Sequence, residues 1–119
     1  VKKFEDIIAW QKGRVLCSAI YKITESGSFS MDYGLRDQIR RASVSIISNV
    51  AEGFERQTDK EFIRFLYFAK GSCGEVRAQL YIAQDLGYIS ESESKQLQES
   101  AYEISKIIAG LIKSISTRI

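Results

Sequence analysis

The chain has 119 residues, 17 Lys and Arg against 15 Asp and Glu, 45% hydrophobic residues, and neither proline nor histidine. That composition is one soluble domain that buries roughly two-thirds of its unfolded surface; it excludes a disordered chain, and with no proline nothing forces a helix to break. A net charge of +2 falls short of a dedicated, strongly basic nucleic-acid binder, and two distant cysteines without a CxxC or a histidine exclude a zinc site or a stapled secreted scaffold.

Cys17 and Cys73 therefore read as reduced packing thiols, and no cofactor or metal is implied. No apolar run approaches the ~20 residues of a membrane span. The start Val1-Lys2-Lys3-Phe4-Glu5-Asp6 turns acidic before a signal peptide could form, so the expectation is a cytoplasmic protein with no membrane partner.

In chain order, the first helix is expected over 4–25, with Ile7, Trp10, Cys17 and Tyr21 on one row and Gly13, Leu16, Ile20 and Ile23 on its neighbour. Residues Glu25 to Ser30 are the one Gly/Ser-rich connection, with Ser30 a plausible cap for the second helix. There Leu35, Ile39, Ala42 and Ile46 set a four-three rhythm whose next positions are the polar or small Asn49 and Gly53. The third helix, 59–86, opens with a Thr58–Glu61 capping box and keeps its seam without a miss through Phe62, Leu66, Ala69, Cys73, Val76, Leu80 and Ala83, with Gly87 as its stop. The last, 91–116, opens with a Ser90–Glu93 capping box and carries Leu97, Ala101, Ile104, Ile108, Leu111 and Ile115. Connections near 54–58 and 87–90 are short enough to demand antiparallel neighbours. The fold class is all-α: a single antiparallel up-down-up-down four-helix bundle over 1–119.

A turn centred near 56–57 sets residues whose numbers add to about 113–116 opposite each other on the second and third helices. Arg41 then lies near Glu75, and Gln38 near Glu75 and Ser72. With Asn49 and Glu52 they form a polar cluster at the seam, which reads as a device that fixes helix register. The competing reading is a pocket in which Glu75 or Glu52 acts as acid or base, but neither a histidine, a second carboxylate at a suitable spacing, nor a nucleophile beside a base supports it. No catalytic residue is assigned, and the chain is expected not to be an enzyme.

The third helix carries a second stripe, Ile63, Tyr67, Gly74, Ala78 and Tyr81, with Phe65, Phe68 and Ile82 near it. It is either a wide intramolecular seam or the interface of a homo-oligomer, and aromatic anchors among small residues favour the interface. Charge is nearly balanced along the chain; only residues 1–30 are net basic, with Lys2, Lys3, Lys12, Arg14 and Lys22 against Glu5, Asp6 and Glu25. Copies of Lys2, Lys3, Lys12, Arg14, Arg36 and Arg40 brought together in an oligomer could act jointly on a phosphate backbone, and Trp10 and Tyr21 could stack on unpaired bases. A solvated face and ordinary helix packing are the alternatives.

The run Gln38-Ile39-Arg40-Arg41-Ala42, Ser45-Ile46, Asn49-Val50-Ala51-Glu52-Gly53, with Gly71-Ser72 and Glu75, resembles the bacterial four helix bundle protein family encoded in intervening sequences of large-subunit ribosomal RNA genes. The resemblance extends from Phe4 and Trp10-Gln11 to Leu86-Gly87-Tyr88, and departs from the family pattern where Ser30 stands for a proline and Gly74 for a larger residue. A related branch, the accessory variability protein of diversity-generating retroelements, is a pentameric ring that works beside a reverse transcriptase and its RNA. The resemblance thus implies a homo-oligomer, a pentamer, with RNA or a reverse transcriptase as partner. A structural scaffold or protein adaptor with no nucleic-acid role is the alternative.

Overall fold

In the computed structural model, which describes residues 1–118, Phe4–Asp6 forms one 3-10 turn and the first helix, α1 (Ile8–Ile23), starts only after it. The remaining helices are α2 (Gly27–Met31), α3 (Tyr33–Glu55), α4 (Asp59–Asp85) and α5 (Glu91–Ser116), with no strand among the described residues. The long elements fall where the apolar periods place them, and the differences lie at ends and in the first connection. Residues read as a loop fold into α2, with Gly27 at φ +68°, a left-handed value that glycine adopts without penalty. Ser30 is not the cap of the second long helix: its hydroxyl donates back to the Gly27 carbonyl, and Asp32 caps α3 by accepting from the Leu35 N–H. The reason is geometric, since Ser30 is already inside α2.

The two other caps are as read, with one half missing. Ser90 and Glu93 exchange both bonds of a capping box. Thr58 accepts from the Glu61 N–H, but the Glu61 carboxylate turns to Arg56 and Arg64, so that box is open.

Each long helix packs against two others, α1 and α4 both lying between α3 and α5, with α1 diagonal to α4. Cross-helix pairs fix the directions: Tyr21 with Arg40 and Cys17 with Ser43, Ser45 with Ser72, Arg77 with Gln98 and Asp59 with Arg118, Lys12 with Glu103. Between α1 and α3, between α3 and α4, where Gln38 also meets Gln79, and between α4 and α5, one number rises as the other falls; these three antiparallel contacts make α1 and α5 antiparallel too, in a body of 47 × 20 × 19 Å. The core is one apolar cluster in which Ile20, Ile39, Ile46, Leu66, Val76, Leu80 and Ile108 are fully buried.

Of the two rows on α1, the inner one is Gly13, Leu16 and Ile20, while Trp10 and Cys17 are half-buried at its margin. On α3 the seam continues through Val50 instead of Asn49 and ends on buried Gly53. An ideal Cβ on Gly53 would stand 2.6 Å from the Phe65 Cβ and 3.3 Å from the Phe62 carbonyl, so this glycine is what lets α3 and α4 approach. Two polar residues enter the α5 seam, Ser94 and Gln98. Gln98 cross-links the helices, donating to the Arg77 carbonyl at 2.8 Å and accepting from Arg77 Nε at 3.4 Å. Among the described residues no helix is long and apolar enough to cross a membrane.

Candidate functional site

The polar cluster read on the second and third helices is smaller than expected and differently made. Paired residues on α3 and α4 add to 117, as Gln38 does with Gln79 and Ser45 with Ser72, just outside the expected range. Its centre is Ser45, whose hydroxyl oxygen accepts from Ser72 Oγ at 3.0 Å and from Asn49 Nδ2 at 2.9 Å, Asn49 also donating to the Ser45 carbonyl. The expected Arg41–Glu75 pair does not form. Both residues are exposed, and neither makes an ion pair among the described residues. With paired numbers adding to 117, the position opposite Arg41 is Val76, which is fully buried, so Glu75 stands one position off and both charges stay at the surface. Gln38 is exposed and reaches Gln79 only at 3.5 Å, and Glu52 pairs with Arg56 one turn along α3. What remains, Ser45 with Asn49 and Ser72, is a neutral, locally satisfied bridge between two helices, without an ionisable group to act as acid or base.

Cys73 is buried in the core, and burial pushes its thiol up to about 12, which keeps it protonated and unreactive at neutral pH. The carboxylate most perturbed at the surface is Asp59. Arg118 holds it below the usual range by donating from Nε and from a terminal nitrogen at 2.9 and 3.0 Å. This fork ties the start of α4 to the end of α5. Tyr88 donates to Asp32 at 2.9 Å, which raises the phenol above its ordinary value and ties the α4–α5 connection to the cap of α3. No group of three or more Cys, Asp or Glu residues that could hold a metal occurs among the described residues.

The six candidate cations do not form one patch. Arg40 lies across the end of α1, donating to Thr24 Oγ1 at 2.7 Å and to the Tyr21 carbonyl at 3.5 Å, with its guanidinium 4.5 Å from the Tyr21 ring centre. It caps a helix C-terminus, where a cation is stabilising. Arg36 is equally engaged, bonding Asp37 and the Ser30 carbonyl and stacking 4.8 Å from the centre of the Tyr33 ring. Lys12 bridges to Glu103 on α5 at 3.3 Å. Lys2 and Lys3 are exposed, and Arg14 lies 5.7 Å from the centre of the Trp10 ring, which meets Phe4 edge-to-face at 5.2 Å.

Arg14 and Trp10 belong to a shallow depression on the outer side of α1 that Gln11, Val15, Ser18, Ala19 and Lys22 complete. From the sequence, Lys22 enters only the charge balance of residues 1–30. Its signal was the spacing Arg14, Ser18, Lys22, one helical row on the face away from Leu16 and Ile20. Tyr21, the other aromatic considered for base stacking, lies under Arg40 instead.

The second stripe of α4 divides in two. Ile63 packs half-buried on the core, whereas Tyr67, Gly74, Ala78 and Tyr81 are exposed. Phe65 is buried beneath Arg56 and Arg64, 4.7 and 5.4 Å from its ring centre.

No curated protein matches the chain significantly. Among solved structures, a protein of unknown function from the S23 ribosomal protein family of Bacteroides thetaiotaomicron is similar, with a TM-score of 0.81 and 23% identity over 89% of this chain and 99% of that one. At that identity the likeness is one of fold. The family model for the 23S rRNA-intervening sequence protein matches residues 5–110. With nearly the whole bundle matched, from the turn before α1 to the last turns of α5, this chain belongs to the 23S rRNA-intervening sequence protein family.

Proposed function

We propose that this protein is a non-enzymatic, self-assembling accessory factor that associates with structured RNA through the outer face of α1. The observation that carries the reading is the Trp10 depression: an aromatic ring with Arg14 stacked on it, Lys22 two turns on, and Lys2 and Lys3 just before Phe4, which packs on the same ring. A ring face beside cations is the arrangement that takes an unpaired base and its phosphate. Arg36 and Arg40 serve the fold and leave the RNA-facing set, and Lys12 is committed to Glu103. The family's name ties it to a ribosomal RNA gene, which favours RNA as the partner class; the resemblance to accessory variability proteins adds a reverse transcriptase and a ring of five copies. The net charge of +2 makes one copy a weak binder, so affinity must come from several copies on one RNA.

Fluorescence anisotropy of a structured ribosomal RNA fragment, titrated at low and moderate salt with the oligomer mass measured in the same buffers, tests this. Binding should weaken steeply with salt, and Arg14→Ala with Lys22→Ala should reduce the slope. An intact oligomer that leaves the RNA free at low salt removes the reading in favour of a protein adaptor, for which the exposed apolar face of α4 is the supporting observation.

A further inference from the structure

We propose that the groove between α1 and α5 binds a single-chain anionic amphiphile of the medium-chain fatty acid class, its chain along the groove and its carboxylate on Lys22. Of the helices that neighbour each other, α1 and α5 pack least closely. The space between them is a groove of about 510 Å³, within the range of small-molecule sites. Leu16, Ala19, Ile23, Leu97 and Ile104 give it an apolar lining, and Val15 on the α1 wall is 70% exposed.

What selects the occupant is that the two ends of the groove carry the same residue types in the same register and yet differ. Lys12 and Glu103 bridge the two walls at 3.3 Å. Ten residues after Lys12 and ten before Glu103, Lys22 and Glu93 hold the equivalent places, but they make no ion pair among the described residues. The Glu93 carboxylate is committed to the capping box, where it accepts from the Ser90 N–H at 2.9 Å and its charge sits at the positive end of α5. Exposed Lys22 is left as the uncommitted cation of the lining.

Dimensions favour one alkyl chain. Ten residues of α1 rise about 15 Å, the length of an extended chain of about twelve carbons. Such a chain covers the apolar lining and Val15, stops at the Lys12–Glu103 bridge, a pair without net charge, and brings its carboxylate to Lys22 for a charge-assisted hydrogen bond. A cationic head would meet Lys22 with like charge. A partner helix, about 10 Å across, would have to break the Lys12–Glu103 bridge to reach the floor.

Lys22 also lines the Trp10 depression, so a carboxylate bound in the groove takes one cation from that surface. The inference rests on the groove and not on the RNA reading, and its test omits RNA for that reason.

Isothermal titration calorimetry with octanoate, dodecanoate and dodecyltrimethylammonium, each kept below its micelle concentration, tests it. A methylene covered on one side is worth about twofold in affinity, so dodecanoate should bind at least about tenfold tighter than octanoate. Dodecyltrimethylammonium should bind at least about tenfold more weakly than dodecanoate. Ser100→Leu, which fills the groove one turn from the bridge, should bring dodecanoate down to the affinity of octanoate, and Lys22→Glu should reverse the preference of head group; the melting temperature of each variant shows that the bundle is intact. No binding of dodecanoate, or dodecanoate binding unchanged in Ser100→Leu, would overturn the proposal. So would equal binding of the two head groups, which would make the groove a seat for an apolar protein segment. Dodecanoate binding by a protein that leaves RNA free at low salt would remove the RNA reading alone, and RNA binding by a protein indifferent to dodecanoate would remove this one alone.

Discussion

Replacing Gly53 with alanine isolates the close approach on which the α3–α4 contact depends. The added methyl would stand 2.6 Å from the Phe65 Cβ, 3.1 Å from Phe62 Cδ1 and 3.3 Å from the Phe62 carbonyl. The nearest atom is fixed to the α4 backbone and the third belongs to it, so neither can swing aside as a side-chain tip would. Relief requires the helices to part by about 1 Å near their connection, and overpacking of this kind costs ~1–3 kcal/mol, the upper end applying where backbone must move. Alanine returns ~1 kcal/mol of helix propensity. The net expectation is a loss of about 2 kcal/mol, read as a lower urea midpoint with an unchanged slope.

The control is Gly110→Ala, on an exposed position of α5 with nothing within 4 Å of the new Cβ. It keeps the propensity gain without the clash and should stabilise by ~1 kcal/mol. Both chains are measured dilute, so that self-association does not enter. If Gly53→Ala is as stable as wild type while Gly110→Ala gains, the close-approach argument is wrong.

Two further expectations concern the surface ties. Arg40→Ala removes two donated bonds at the end of α1 and leaves the oxygen of fully buried Thr24 short of a donor. It should lower stability by ~1–2 kcal/mol in urea titration, whereas Arg14→Ala should change it little; equal effects would place Arg40 among the solvated cations. The Asp59–Arg118 fork lowers the Asp59 carboxyl in the folded chain, so its stabilisation is present above the ordinary carboxylate range and is lost as pH falls through the depressed value. Melting temperature should fall less steeply below about pH 4 in Arg118→Gln than in wild type; parallel curves would show that the fork contributes nothing.

The sequence by itself determined the number, order and direction of the long helices. Its apolar rows recur at four and three, it has no proline, and its short connections leave antiparallel neighbours as the arrangement that buries those rows. The Ser90–Glu93 cap, the inner face of α4 and the Ala101, Ile104, Ile108 and Ile115 positions of α5 were legible for the same reason, since they depend on residues a turn apart; Leu97 and Leu111 of that row stay half-buried, and Ile112 takes an inner place. What only the tertiary structure decided is where polar side chains end up. Rotation and offset between packed helices turned Arg41 and Glu75 outward, assembled the bridge around Ser45, and buried Gln98 against Arg77. Gly53 read as a break in an apolar rhythm until Phe62 and Phe65 packed on it. The cations were sorted in the same way, because a lysine or arginine spans several ångströms and its partner is chosen by whichever helix end or carboxylate the fold brings within reach. Arg40 thus became a cap, and Arg14 stayed with Trp10 on the outer face of α1.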